Sequence, residues 1–437
     1  MESMFFGKKA DDGPSVPPPP SADDAEKKDY VLRELSKLYT KVFRPIEEAT
    51  KFDVFYSSLL NEAEFRTPPM VLLVGPYSVG KTTFIEYLLG RKFPGQRIGP
   101  EPTTDRFTAV MYGEDDRTIP GNALTVAPNS PFRALSKQGN AFLARFEGSL
   151  CSAPLLEHMS LIDTPGVLSG EKQRLQRHYD YDEVVQWFAE RVDMIVLLFD
   201  PFKLDISDEL TAVIRRFRGH EDKVRVVLNK SDRVNQQQLM RVYGALMWSL
   251  GRVLDTPEVC RVYVGSFHDE ELRDPDTAPL LAAEMGDLLA DLRELPQQSA
   301  TRRVNELVKR ARLLKAHCYL LDHLREQMPS VYGFQKKKQE LLASMPSQFR
   351  TVCRARGLSP GDFPDLQKFL AVAKEVDFGQ FPRVSGSRMR KGKMMSDLEV
   401  ALNETIPALM EFLPRGCASV EPEAEAVVEV ADVETVI

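Results

Sequence analysis

The stretch Val71-Leu72-Leu73-Val74-Gly75-Pro76-Tyr77-Ser78-Val79-Gly80-Lys81-Thr82-Thr83 constrains the fold of this chain more than any other. A short apolar run turns through glycines into Thr83-Phe84-Ile85-Glu86-Tyr87-Leu88-Leu89, whose apolar side chains recur at helical spacing, so the segment reads as strand, loop, helix. Gly75-x4-Gly80-Lys81-Thr82 has P-loop spacing. In such a loop the glycines let the backbone bend until successive N–H groups and the helix N-terminus face phosphate oxygens. Lys81 is expected to reach the β- and γ-phosphates and the Thr82 hydroxyl to be one Mg2+ ligand. Tyr77, Ser78 and Thr83 complete the candidate nucleotide-binding set, and Ser78 is also a candidate catalytic position.

Two later motifs stand in the order this reading requires. His158-Met159-Ser160-Leu161-Ile162-Asp163-Thr164-Pro165-Gly166 is a strand ending in an acidic residue and a Gly turn. It supplies Asp163 for the Mg2+ shell and Gly166, whose N–H senses the γ-phosphate. Val224-Arg225-Val226-Val227-Leu228-Asn229-Lys230-Ser231-Asp232 is a strand ending in the Asn-Lys-x-Asp arrangement by which G-domains hold the base, with Ser266 after the next strand. Met194-Ile195-Val196-Leu197-Leu198-Phe199-Asp200 adds a further apolar strand. Three ordered motifs on strand ends predict an α/β fold: a nucleotide-binding P-loop G-domain, a mostly parallel sheet flanked by helices.

Composition bounds the rest. At 437 residues the chain exceeds one simple core, so two domains are expected. A net charge of −7 argues against a surface built for nucleic acid. Cys151, Cys260, Cys318, Cys353 and Cys417 stand far apart without zinc spacing and read as reduced cytosolic thiols. No apolar run approaches the roughly 20 residues needed to span a bilayer, and the N-terminus lacks the apolar segment of a signal peptide. Membrane contact, if any, is expected to be peripheral.

Along the chain, residues 1–27 read as a disordered peptide and linker. Phe5 and Phe6 before Lys8 and Lys9 read either as an ordinary terminus or as a small lipid-insertion peptide. Apolar residues recur helically from Tyr30 to about Phe52, with Pro45 as a break or kink, and residues 28–56 are assigned to a helical domain that resumes after the G-domain (57–278). Thr103 and Thr104 both fit the first switch. Gly113 to Leu156 is an insertion of undefined shape, and Val167 stands where small signalling GTPases carry the glutamine that orients water. Hydrolysis is therefore expected to be slow. The helix Gln236–Leu254 carries Trp248 either as a core residue or as an exposed anchor at a dimer face.

From 279 to 413 the pattern is helical, with segments at 280–292, 299–327, 336–345, 366–376 and 396–413. Tyr332, Phe334, Lys336, Lys337 and Lys338 fall at a loop tip that suits either solvent or an anionic bilayer. Residues after Gly416 hold six acidic side chains and no basic ones, and residues 414–437 read as a disordered tail.

The chain resembles the EH-domain-containing (EHD) ATPases, dynamin-related membrane-remodelling proteins, over roughly residues 30–413. The resemblance is carried by Gly99-Pro-Glu-Pro-Thr-Thr-Asp105, Ile162-Asp-Thr-Pro-Gly-Val-Leu-Ser-Gly170, Trp187-Phe-Ala-Glu-Arg-Val-Asp193, Arg241-Val-Tyr-Gly-Ala-Leu-Met-Trp248, Leu307-Val-Lys-Arg-Ala-Arg-Leu313 and Ser359-Pro-Gly-Asp-Phe-Pro364. It implies ATP rather than GTP as the nucleotide with Mg2+, and slow hydrolysis stimulated by assembly. It further implies homodimers through a face holding Trp248, and higher oligomers that bend or tubulate membranes in endocytic and recycling traffic. It selects Thr104 as the switch threonine, both catalytic and metal-binding, and places Phe5, Phe6, Tyr332 and Lys336 to Lys338 against anionic lipids. The expected location is cytoplasmic, peripheral on endosomal or plasma membrane.

The departures are equally specific. Pro76 and Val79 replace the family's usual Gln and Thr, and His268 a usual Trp. The acidic tail stands where animal members carry the EH domain, so partners with Asn-Pro-Phe motifs are not expected. The family's own Asn-Pro-Phe is absent, the local sequence being Leu135-Ser-Lys-Gln-Gly139.

Overall fold

The computed structural model describes residues 23–96, 105–127, 130–167, 179–204, 206–254, 260–268, 272, 274, 276–329, 332–381 and 392–413. Thr104, Phe5, Phe6 and the acidic segment therefore lie outside the described residues.

Eight strands form one sheet: β1 (Met70–Val74), β2 (Phe107–Tyr112), β3 (Arg117–Pro120), β4 (Phe146–Cys151), β5 (Ser160–Asp163), β6 (Met194–Phe199), β7 (Val224–Leu228) and β8 (Val262–Val264). Their order is β3-β4-β2-β5-β1-β6-β7-β8. β1, every residue of it buried, runs parallel to β5 and β6, and β6-β7-β8 continue in parallel. Strands covered on both faces read as continuous apolar runs, which is why β1 and β6 were legible. Only β2 against β5 and β3 against β4 are antiparallel.

The insertion after Gly113 adds two strands to the sheet, with the short helices Gly121–Val126, Arg133–Gln138 and Gly139–Leu143 between them. β4 lies parallel to β2, from Phe107 opposite Phe146 to Tyr112 opposite Cys151, and β3 pairs with β4 at the edge. Glu147 and Gly148 interrupt the apolar pattern of β4, so neither period shows in its sequence.

The two helices expected at 280–292 and 299–327 are one helix, Ala278–Glu326, with Pro296 inside it. Its 49 residues span about 74 Å. A proline in a helix interior forfeits a hydrogen bond and costs about 3 kcal/mol. Here Leu292 and Leu295 before it, and Ser299 and Ala300 after it, are all buried, and that packing outweighs the break. Its first third packs Leu281, Leu288, Leu292 and Leu295 against the two faces of the sheet. From Ala300 to Leu314 it joins Val31, Leu35, Tyr39 and Phe43 in a separate core. Leu320, Leu321 and Leu324 enter a third cluster with Phe55 and Phe369.

Pro45 does not break the N-terminal helix. Asp24–Leu38 passes through a π-helical turn, Tyr39–Phe43, into Arg44–Ala49. The widened turn removes the demand for a Pro45 N–H, and Ala401–Thr405 does the same ahead of Pro407. The helix Met345–Arg356, not anticipated from sequence, follows Phe334–Ala343 directly.

A nucleotide-type site at the strand ends

Apart from Thr104, outside the described residues, and Trp248, the predicted site residues between 75 and 266 converge on the carboxyl ends of β1, β5, β7 and β8, where open α/β sheets bind ligands. Gly80 has φ of +96° and caps the helix Lys81–Leu89, and a Cβ there would lie 2.6 Å from Asn229 Nδ2. Asn229 holds the loop in turn. Its Nδ2 donates to the Val79 carbonyl (2.9 Å), while Oδ1 accepts from the backbone N–H of Lys230 (2.9 Å) and of Phe267 (3.1 Å). The P-loop and the base-side loop are thus one hydrogen-bonded unit.

Lys81 is buried and donates to the carbonyls of Gly75 (3.1 Å) and Pro76 (3.0 Å). Thr82 Oγ1 donates to Asp163 Oδ2 at 2.6 Å, and Asp163 Oδ1 is buried without a hydrogen-bond partner among the described residues. Burial raises the Asp163 pKa, against the opposing pull of Lys81 and the Thr82 hydroxyl. A buried carboxylate oxygen left over beside a threonine hydroxyl fits a hard divalent cation that shares its remaining ligands with phosphate and water. Among the described residues no cluster of three His, Cys, Asp or Glu could hold a metal by itself.

Gly166 lies against the loop, where an added Cβ would come 2.6 Å from Tyr77 Cα. Val167 pairs with the P-loop backbone, donating to the Gly75 carbonyl (3.1 Å) and accepting from the Tyr77 N–H (3.3 Å). Pro76, which has no N–H to offer, is bridged to Val167 by this pairing. Ser78 (φ +64°) and Lys230 (φ +60°) are left-handed non-glycine residues that meet directly, Lys230 Nζ donating to the Ser78 carbonyl. Strained backbone of this kind persists where surrounding contacts over-determine it, commonly at functional sites. Thr83 lies in the first turn of the helix Lys81–Leu89 and is half-buried.

On the base side Asp232 and Ser266 are both buried, and the Ser266 hydroxyl donates to Asp232 Oδ1. His268 Nε2 stands 3.6 Å from Asp232 Oδ2. Two contributors escaped the sequence reading. Asp200, which follows β6, holds Lys230 in an ion pair at 3.0 Å and accepts the Phe202 N–H at 2.9 Å. Lys203 donates to the Tyr77 carbonyl at 3.4 Å and sits over the Tyr77 ring. The signal available was positional: Asp200 ends a buried strand, as Asp163 does.

The other predicted residues are elsewhere. Trp248 is 74% exposed on the helix Gln236–Gly251, whose buried side is Leu239, Leu246 and Leu250, and Met240 is equally exposed. Tyr332 is 87% and Phe334 43% exposed. Of the three lysines, Lys336 is exposed, Lys337 pairs with Glu340 (3.1 Å), and Lys338 donates to the Lys374 carbonyl (2.6 Å) while lying over the Phe378 ring. No helix among the described residues is long and apolar enough to cross a membrane.

Three family models match the chain: the dynamin family over residues 71–231, the N-terminal EH-domain containing protein model over 34–66, and a domain of unknown function over 298–410. The chain is 51% identical over 393 residues to EH domain-containing protein 3 of Homo sapiens, covering 89% of this chain and 72% of the relative. It is 50% identical over 380 residues to EH domain-containing protein 1 of Homo sapiens (87% and 70%) and 50% identical over 381 residues to that of Arabidopsis thaliana (86% and 69%). With its G-domain of dynamin type and the helical region that follows it, the chain belongs to the EH domain-containing protein family.

Proposed function

We propose that the protein is an Mg-ATP-binding, slowly hydrolysing ATPase that dimerises and then oligomerises on anionic membranes to bend them in endocytic or recycling traffic. Family membership supports the coarser part of this reading, a dynamin-related membrane-remodelling nucleoside triphosphatase. The observation that carries the nucleotide site is the triad of Lys81, Thr82 and Asp163, with Asp163 Oδ1 buried and unsatisfied among the described residues.

Bound Mg-ATP would supply the scissile phosphoryl group and the metal's charge. Lys81 would neutralise phosphate, Thr82 and Asp163 would hold the cation's shell, and Gly166 would offer its N–H toward the nucleotide's phosphates. Thr104 is the proposed switch residue. Val167 cannot orient water, which accounts for slow turnover and for dependence on a group furnished by assembly. ATP is favoured over GTP on the family resemblance, and the Ser266 hydroxyl that donates to Asp232 Oδ1 would compete with guanine N–H groups for that carboxylate. Trp248 and Met240 form the proposed dimer face, an exposed aromatic anchor beside a flexible apolar side chain. Tyr332, Phe334 and Lys336 are the proposed lipid contact, joined by Phe5 and Phe6; Lys338 serves the tip's own packing.

The test is ATP hydrolysis by the purified protein with and without anionic vesicles. Stimulation by vesicles that disappears in Lys81→Ala and Thr104→Ala is expected; unchanged turnover in either variant refutes the assignment. Asn229 and Asp232 sustain a second reading, a GTPase, and tighter calorimetric binding of a GTP analogue than of an ATP analogue would establish it.

A further inference from the structure

A cleft of about 1360 Å³ opens between the sheet and the helical region, well away from the P-loop. One wall carries Arg215 and Arg252, from the ends of helices on the sheet; the other carries Arg312, from the long helix. Among the described residues these three guanidinium groups make no hydrogen bond or ion pair, and all are exposed to the cleft. Twelve Lys and Arg side chains line the cleft against eight Asp and Glu, in a chain whose net charge is −7. Several of those acids are already engaged: Glu64 with Arg191, and Glu306 with Lys223 and Lys309. The lining is therefore net positive, and among the described residues Arg215, Arg252 and Arg312 are its uncommitted cations. Its floor is apolar, with Leu254, Leu313 and Phe363 among the lining.

We propose that this cleft receives the chain's own acidic segment, residues 420–437. That segment carries Glu421, Glu423, Glu425, Glu429, Asp432 and Glu434, no basic residue, and otherwise mainly Val and Ala. Carboxylates at every second position from 421 to 425 alternate with Pro422 and Ala424, so an extended strand turns acids to one side and small apolar groups to the other. That pattern matches arginine rims above an apolar floor.

Reach is sufficient. Leu413 packs in the core that also holds Phe65 and Leu307, and those two residues line the cleft. The residues beyond Leu413 extend to roughly 80 Å when fully stretched. Rim charge pairs are individually weak, but attachment to the same chain keeps the acids at a high effective concentration. Nothing in this assignment depends on nucleotide.

Carbodiimide cross-linking of the full chain at low salt, read by mass spectrometry, tests it. The expected products join acids between 421 and 434 to Lys309 or Lys368, the two exposed lysines of the cleft, and arise within single molecules when 14N- and 15N-labelled protein are mixed. Arg215→Glu, Arg252→Glu and Arg312→Glu together should cut their yield about tenfold, and raising the salt should do likewise. All three sites are exposed, so the fold tolerates them; Glu421→Gln, Glu423→Gln and Glu425→Gln provide the same check from the other side. Products directed mainly to Lys336–Lys338, yields unmoved by charge reversal, or cross-links only between molecules would overturn the proposal. So would inositol hexakisphosphate binding at the three arginines equally tightly with and without the Glu→Gln changes.

Discussion

Gly80 shows how one residue can serve both backbone and site. Its φ of +96° is left-handed, and the space a Cβ needs is taken by the Asn229 amide that ties the loop to the base side. Gly80→Ala should therefore lower nucleotide affinity about tenfold or more, and unfold earlier by the 1–2 kcal/mol that a left-handed Ala costs, roughly; calorimetry and thermal melts read the two effects separately. Asp163 makes the opposite trade. Burial raises its pKa, so just above its ordinary value the folded protein binds more protons than the unfolded chain, and stability falls as pH rises through that window. At neutral pH the charged form is a standing cost that a bound cation relieves. Asp163→Asn is thus expected to raise the melting temperature of metal-free protein while abolishing the Mg2+-dependent part of nucleotide binding. A melting temperature that falls instead would show that the carboxylate is stabilising in its own right.

At the scale of elements, what matters is which face each helix leaves uncovered. Gln236–Gly251 commits Leu239, Leu246 and Leu250 inward and leaves Met240 and Trp248 each 74% exposed. Trp248→Ala should leave the unfolding midpoint nearly unchanged, as surface substitutions do to within about 0.5 kcal/mol. It should convert dimer to monomer in analytical ultracentrifugation; an unaltered sedimentation profile counts against the proposed face. Periodicity alone could not choose between core and anchor for this tryptophan, because a helical stripe reports that a face is apolar, not what lies against it. The same limit hid β3 and β4. β4, interrupted by Glu147 and Gly148, takes its conformation from pairing with β2, and the edge strand β3 takes its own from pairing with β4, rather than from their own sequences. The π-helical turns before Pro45 and Pro407 are a third case, since a proline signals a lost hydrogen bond but not how neighbouring residues will absorb it.

Over the whole molecule, residues far apart in sequence lock the helical region together. Arg310 makes a paired contact to the buried Glu47 carboxylate (2.6 and 2.8 Å), which also accepts from Tyr39. Nearby, His317 is enclosed by Phe52, Phe55 and Tyr56, its Nδ1 2.8 Å from the Tyr56 hydroxyl and its Nε2 3.1 Å from the Thr50 carbonyl. Burial lowers its pKa to about 4 from 6.5. The unfolded chain therefore binds a proton that the native state refuses. The stabilisation is complete above pH 6.5 and drains away as pH falls toward 4, amounting to about 3 kcal/mol. Urea midpoints measured from pH 7 to 4.5 should decline accordingly, and His317→Gln should flatten that decline. None of this network was legible beforehand: Glu47, Arg310 and His317 look like ordinary solvated residues until the helices before and after the sheet are brought together. By itself the sequence determined the P-loop, the ordered strand-end motifs and the helical character of both flanks, because glycine-bounded turns, buried strands and 3.6-residue periods are local properties. Only the tertiary structure decided that Pro296 lies within one continuous helix, that Trp248 faces outward, and that Asp163 keeps an unsatisfied oxygen. Each of those depends on what distant parts of the chain place beside the residue, and burial is a property of neighbours rather than of sequence.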